Sequence, residues 1–131
     1  MPTGNVIYNN VPFYISPWGN RFNSWYADRV QASNPVVLRI PCNKTIKSVN
    51  LLSNTSWGAP GPSSYASVRF LKSGIVIFEK MLIGNVDIRD YNQFSYTNTI
   101  NGTTTVNAWT STSGSPRIDN IKITLPSSTQ I

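Results

Sequence analysis

The side chains that carry most enzymatic chemistry are scarce in this sequence. None of its 131 residues is histidine, which removes imidazole as a general base, the catalytic triads built on it and most zinc sites. The chain also has no glycine-rich phosphate-binding loop. Five carboxylates remain, and the two closest in sequence, Asp87 and Asp90, would point to opposite faces of a strand about 10 Å apart. Because that separation lies at or beyond the long end of the roughly 5–9.5 Å of glycosidase carboxyl pairs, we predict that the chain is not an enzyme; the alternative is that a bend, or a carboxylate distant in sequence, brings a pair closer.

Aromatic rings beside amide and guanidinium groups offer a different chemistry, that of glycan recognition. Sugar rings have apolar C–H faces that stack on flat aromatic side chains, while polar side chains bind the hydroxyl groups. Three tryptophans lie in loop-like stretches and are the predicted stacking surfaces: Trp18, Trp25 and Trp57. The predicted hydrogen-bonding partners of the glycan are Asn54 and Arg89. The alternative is that these tryptophans anchor loops or fill the core, as Trp109 is expected to do within a strand.

Three aspartates are candidate ligands for a metal ion: Asp87, Asp90 and Asp119. Calcium takes six to eight oxygen ligands, to which carboxylates, carbonyl groups and water contribute. These aspartates lack the dense acidic spacing of calcium-binding loops, so solvated or capping carboxylates are the favoured interpretation and no cofactor is predicted. The single cysteine, Cys42, follows an apolar run and is expected to be a small buried side chain rather than a nucleophile.

The charge distribution argues against nucleic acid as the partner. The formal net charge is +6, from eleven basic and five acidic residues, but the basic residues are scattered singly along the chain. Nucleic-acid-binding domains normally gather their cations on one face or along one helix. Only 12% of the residues are charged, against about 25% in an average soluble protein, so serine, threonine and asparagine must cover the surface. Such a surface favours an extracellular or virion-associated protein.

Segments that would direct the chain to a membrane are not expected. No run of apolar residues reaches the roughly 18 that a membrane span requires. The first residues also lack the charged region and apolar run of a signal peptide.

The elements that must position the candidate residues are predicted to be short β-strands. Nine prolines and eight glycines interrupt the chain too often for helices, and several of the runs between them alternate with period two. Eight runs fit a strand: residues 11–15, 36–40, 46–52, 64–71, 75–79, 91–96, 103–109 and 117–125.

Two of these runs carry expectations about burial. In residues 117–125, the inward side chains are predicted to be Ile121, Ile123 and Leu125, with Lys122 and Thr124 outward. The run at 75–79 is continuously apolar, which predicts burial on both faces. Residues 72–74 predict a hairpin turn before it, because glycine can supply the positive φ that tight turns need.

Together the strands predict one all-β domain over residues 1–131, built as a β-sandwich or jelly roll of about eight antiparallel strands. Long connections at residues 16–35 and 53–63 would lie at the rim of the sandwich, where irregular segments commonly carry function. These two connections hold the three predicted stacking tryptophans.

Six segments, in the same order along the chain, resemble the galactose-binding-like β-sandwich modules that are attached to glycoside hydrolases. They are Val-Pro-Phe-Tyr-Ile at 11–15, Lys-Ser-Val-Asn-Leu-Leu at 47–52, Asn-Thr-Ser-Trp-Gly at 54–58, Tyr-Ala-Ser-Val-Arg-Phe at 65–70, Ile-Gly-Asn-Val-Asp-Ile-Arg-Asp-Tyr at 83–91 and Arg-Ile-Asp-Asn-Ile-Lys-Ile-Thr-Leu-Pro at 117–126. The resemblance implies a jelly roll whose final strand returns beside the first, with any ligand site in the loops at one end.

The sequence supports two hypotheses about function. The first is a non-catalytic carbohydrate-binding or lectin-like module whose partner is a glycan or polysaccharide. The second is a structural or assembly protein, such as a virion or surface-appendage subunit, that self-associates as a homo-oligomer. The loop tryptophans favour the first hypothesis, and the low charge with its serine, threonine and asparagine surface suits the second.

Overall fold

The computed structural model describes residues 2–17, 36–56, 63–92 and 96–131. In these ranges the chain forms seven β-strands and no helix, so the predicted all-β class is confirmed for the described residues. The strands are β1 (Gly4–Tyr8), β2 (Val11–Ile15), β3 (Thr45–Ser53), β4 (Ser64–Lys72), β5 (Ile75–Ile83), β6 (Thr105–Thr110) and β7 (Arg117–Gln130).

The strands pair antiparallel in three separate sheets. Two of the sheets are hairpins, β1–β2 and β4–β5, and the third has the order β3-β7-β6. The sequence predicted about eight strands in one sandwich, whereas the described residues give seven strands in three hydrogen-bonded units.

Both hairpins turn through residues with positive φ, as the two central positions of a type I′ turn require. In β4–β5 these residues are Ser73 (φ 48°) and Gly74 (φ 82°), which confirms the predicted turn. In β1–β2 they are Asn9 (φ 52°) and Asn10 (φ 62°), and asparagine tolerates this conformation better than most residues. The sequence analysis missed β1 because this turn contains no glycine.

Strand β7 is the central strand of the three-stranded sheet and alternates as predicted. Ile121, Ile123 and Leu125 are buried, while Lys122 and Thr124 are exposed. The strand runs past the predicted end at residue 125 to Gln130. Proline at 126 is compatible with this extension because it lies in a register shift between β3 and β7, where the ladder is interrupted.

The hydrophobic core is formed by the β4–β5 hairpin together with the inward face of β3 and β7. Its fully buried members are Phe70, Leu82, Ile88, Ile121, Ile123 and Leu125. Half-buried side chains from both strand pairs surround them, among them Val49, Leu51 and Val68. Burial of one such aliphatic or aromatic side chain contributes about 1.5–3 kcal/mol, so this cluster is the main source of cohesion between the two units.

Two predictions about strands are wrong. Residues 36–40 form no strand, and their apolar members are exposed because they have no partner strand within the described residues. Strand β5 exists and extends four residues beyond residue 79, but its apolar start is not buried on both faces. Ile75 is 70% exposed, since β5 belongs to a two-stranded hairpin whose turn end extends beyond the core.

Other local predictions also need correction. Tyr91 and Asn92 lie in a bend rather than in a strand over residues 91–96, of which 93–95 are outside the described residues. Trp109 does lie in β6 but is only half-buried and does not belong to the core cluster. Cys42 is exposed, because the segment before β3 packs under no described element.

Candidate functional site

The inward face of β7 changes from aliphatic to ionic towards the start of the strand. Asp119 lies two residues before Ile121 and therefore points to the same side of the sheet. Its side chain is fully buried, and it forms a two-pronged ion pair with Arg89. Nε of Arg89 donates to Oδ2 at 2.8 Å and Nη2 donates to Oδ1 at 2.6 Å. This geometry satisfies both oxygens of the buried carboxylate.

Asn54 completes this network at the end of β3. Its Nδ2 donates to Oδ2 of Asp119 at 3.0 Å and to the carbonyl oxygen of Arg89 at 3.3 Å. Its Oδ1 accepts the backbone N–H of Asp119 at 3.1 Å. The structure thus brings together the two predicted glycan-bonding residues, Asn54 and Arg89, but pairs them with protein groups. The predicted stacking residues lie outside the described residues: Trp18, Trp25 and Trp57.

A second buried guanidinium, Arg117, lies two residues before Asp119 on the same face. Its Nε donates to the carbonyl oxygen of Asp90 at 3.1 Å, and its Nη2 donates to the side-chain oxygen of Asn98. Burial lowers the pKa of Arg117 from its usual value, and the positive charge of Arg89 lowers it further. These contacts fix the connection around residue 90 onto the end of the core.

The carboxylates that were candidate calcium ligands also have protein partners. Asp87 forms an ion pair with Lys80 at 2.8 Å and accepts the backbone N–H of Ile83 at 3.1 Å. Asp90 accepts the backbone N–H of Asn92 at 2.5 Å through Oδ1. Across residues 2–17, 36–56, 63–92 and 96–131, no three histidine, cysteine or acidic side chains group so as to hold a metal ion.

A polar groove of about 350 Å³ lies on the opposite, outward face of the three-stranded sheet. One wall is the turn end of the β1–β2 hairpin, which is attached to β6 by a hydrogen bond from Nδ2 of Asn9 to the carbonyl oxygen of Asn107 at 3.3 Å. The floor consists of outward side chains of the sheet. The lining residues are Asn9, Val11, Ser48, Asn50, Thr103, Thr104, Val106, Asn120 and Lys122.

Two asparagine side chains in the floor of the groove have unsatisfied oxygens. The Oδ1 atoms of Asn50 and Asn120 are buried and have no hydrogen-bond partner among the residues that the structure describes. Asn120 is only 3% exposed. Because leaving a buried acceptor without a partner costs about 1–3 kcal/mol, native proteins pair almost all such atoms. A third buried atom without a partner, the hydroxyl oxygen of Tyr8, belongs to a residue that does not line the groove. The two asparagine oxygens are therefore the ones that indicate a binding site at the groove.

Thr103 and Thr104 form a second wall of the groove, which is fixed by the neighbouring Asn101. Oδ1 of Asn101 accepts the backbone N–H groups of Thr103, Thr104 and Thr105 at 2.8–3.1 Å. Oγ1 of Thr105 in turn donates to the carbonyl oxygen of Asp87 at 2.8 Å. The wall is thereby held in place before any ligand arrives, which lowers the entropic cost of binding.

The sequence analysis missed this groove because it looked for aromatic side chains in loops. A signal was nevertheless present, since Asn50 and Asn120 occupy the polar positions of alternating strands. The pattern could not indicate that the β1–β2 hairpin lies beside these positions. That hairpin contains β1, which was itself not predicted.

Comparisons with known proteins found no match. No family model matches the chain, and neither a curated protein nor a solved structure matches it significantly. Over the described parts of the chain there is no helix that is long and apolar enough to cross a membrane.

Proposed function

We propose that this protein is a non-catalytic carbohydrate-binding module that recognises a glycan through the polar groove. The observation that carries the proposal is the pair of buried, unpartnered oxygens of Asn50 and Asn120. Both oxygens are buried, so the side-chain amides must turn towards the groove to meet a ligand. Sugar hydroxyl groups are donors that then satisfy these acceptors, and serine and threonine hydroxyls nearby can both donate and accept. Concave sites with a few convergent polar groups are typical of small-ligand recognition.

The proposed fold is a β-sandwich of the galactose-binding-like type. The apolar cluster shared by the β4–β5 hairpin and the β3–β7 pair supports two packed layers. In this arrangement the groove lies on the outer side of one layer. Trp18, Trp25 and Trp57, which lie outside the described residues, remain proposed stacking residues.

The state of the described carboxylates supports the proposal that the module is not an enzyme. A general acid in a glycosidase needs a raised pKa. The pKa of Glu79 is instead lowered, first by its hydrogen bond from Arg69 and then by one from Ser67. Asp87 and Asp119 are each paired with a cation.

Removal of the two acceptors tests the proposal. The Asn50→Ala, Asn120→Ala double variant is expected to lose about 5- to 150-fold in affinity on a glycan array and in calorimetry, because each hydrogen bond contributes about 0.5–1.5 kcal/mol. The matched control is Asn5→Ala, an exposed asparagine on β1 that does not line the groove. Glycan binding by the double variant that equals binding by the control would overturn the assignment of the groove.

A further inference from the structure

Among the described residues that line the groove, one has a charged side chain. Lys122 is exposed on β7 and lines the groove, where no acidic residue is among the described lining residues. The described residues supply no ion-pair partner for its ammonium group; several other basic residues are also without an acidic partner, but Lys122 is the one that lines the groove. A free ammonium group beside neutral acceptors favours a ligand that carries one negative charge together with hydroxyl groups.

The register of the sheet places these three groups within reach of one small ligand. Asn50 on β3 is the direct partner of Lys122 on β7. Directly opposite residues have their Cβ atoms about 4.5–5.5 Å apart. Asn120 lies two residues before Lys122 on the same face, about 7 Å along the strand. A single sugar unit can span these separations.

The backbone near the groove argues for a carboxylate rather than a phosphate. Phosphate sites usually combine several cations or a concave set of free backbone N–H groups. Here the N–H groups of Thr103 and Thr104 already donate to Oδ1 of Asn101. Lys122 is the one cationic group among the described lining residues, which suits an anion with one negative charge.

We propose that the preferred ligand of the groove is a sugar acid, that is, a glycan unit whose ring carries a carboxylate. This inference rests on the proposed carbohydrate-binding function. Once the two side-chain amides turn towards the groove, hydroxyl groups of the unit donate to Oδ1 of Asn50 and Asn120, and its carboxylate accepts from the ammonium group of Lys122. The preference for the acid over the neutral sugar is about tenfold and weakens as salt screens the charges.

Matched pairs of methyl glycosides test the inference. Glucose and glucuronate, galactose and galacturonate, and mannose and mannuronate differ within each pair only in the oxidation of C6. Each compound is titrated into the isotope-labelled protein, and the dissociation constant is measured by NMR. Lys122→Gln is compared with Lys72→Gln, which removes the same charge from the turn end of β4–β5, outside the groove.

The outcomes separate this inference from the function on which it rests. The inference is supported if an acid binds about tenfold more tightly than its neutral partner, and if Lys122→Gln removes this preference while Lys72→Gln keeps it. If acid and neutral sugar bind equally, the sugar-acid preference is overturned. The carbohydrate function still stands if the Asn50→Ala, Asn120→Ala double variant weakens that binding. Absence of saturable binding for every pair at millimolar concentration overturns both.

Discussion

Buried polar side chains fall into two groups, which differ in whether other groups of the protein satisfy their hydrogen bonds. Asp119 is fully buried, yet its carboxylate is paired with Arg89 and bonded by Asn54. Asn50 and Asn120 bury oxygens for which the described residues offer no partner. The first group stabilises the end of the core. The second group costs stability in the free protein, and we attribute that cost to ligand binding.

Replacement of Asn120 by leucine tests this difference, because leucine keeps the number and branching of the side-chain heavy atoms but has no polar atom. We expect the free energy of unfolding of the ligand-free Asn120→Leu variant to rise by about 1 kcal/mol, since an unsatisfied acceptor is removed. The control is Asn54→Leu, in which both ends of a paired amide are lost, and its stability should fall by about 2 kcal/mol or more. Urea denaturation measures both values, and an equal loss in the two variants would contradict the account.

At the scale of elements, the β1–β2 hairpin converts a polar sheet face into a groove. Its turn depends on positive φ at Asn9 and Asn10, and Asn9 also lines the groove and bonds β6. The β4–β5 hairpin has the same kind of turn, with Ser73 in the left-handed region, but lies away from the groove. The two hairpins are therefore natural controls for each other.

A β-branched residue at each turn tests the role of the first hairpin. Both Asn10→Val and Ser73→Val should lower the free energy of unfolding by about 1–2 kcal/mol, because the left-handed conformation is costly for such side chains. Only Asn10→Val is expected to weaken glycan binding, by roughly tenfold, since it disturbs the wall of the groove. Calorimetric titration of the two folded variants checks this, and an equal effect on binding would contradict the role given to the β1–β2 turn.

The strands show how far the sequence could predict the fold. The alternation of Ile121, Ile123 and Leu125 predicted the central strand and its inward face correctly, because those positions are buried whichever strands lie beside it. The same logic failed for residues 36–40 and for the start of β5, where apolar side chains are exposed. Periodicity indicates that the two faces of a strand differ in polarity. Whether the apolar face is buried depends on neighbours that are distant in sequence.

At the scale of the whole molecule, β7 connects the core to the candidate site. Its inward side chains belong to the apolar cluster and the ionic network, while Asn120 and Lys122 on its outward side line the groove. The sequence predicted that Asn54 and Arg89 bind a ligand, whereas both bind Asp119 on the inward side of β7. Their partner is distant in sequence and could not be predicted from local patterns. Self-association stays a prediction, and the exposed apolar side chains of the β4–β5 hairpin, Ile75 among them, are the surface it would use.

The central claim is that the groove, and not the Asn54–Arg89–Asp119 network, receives the ligand. Side-chain amide signals in a ¹H–¹⁵N spectrum report on it directly, because each asparagine gives its own pair of peaks. During titration with the tightest-binding methyl glycoside, the peaks of Asn50 and Asn120 should shift with saturation while those of Asn54 stay in place. Shifts at Asn54 with unchanged peaks for Asn50 and Asn120 would contradict the account.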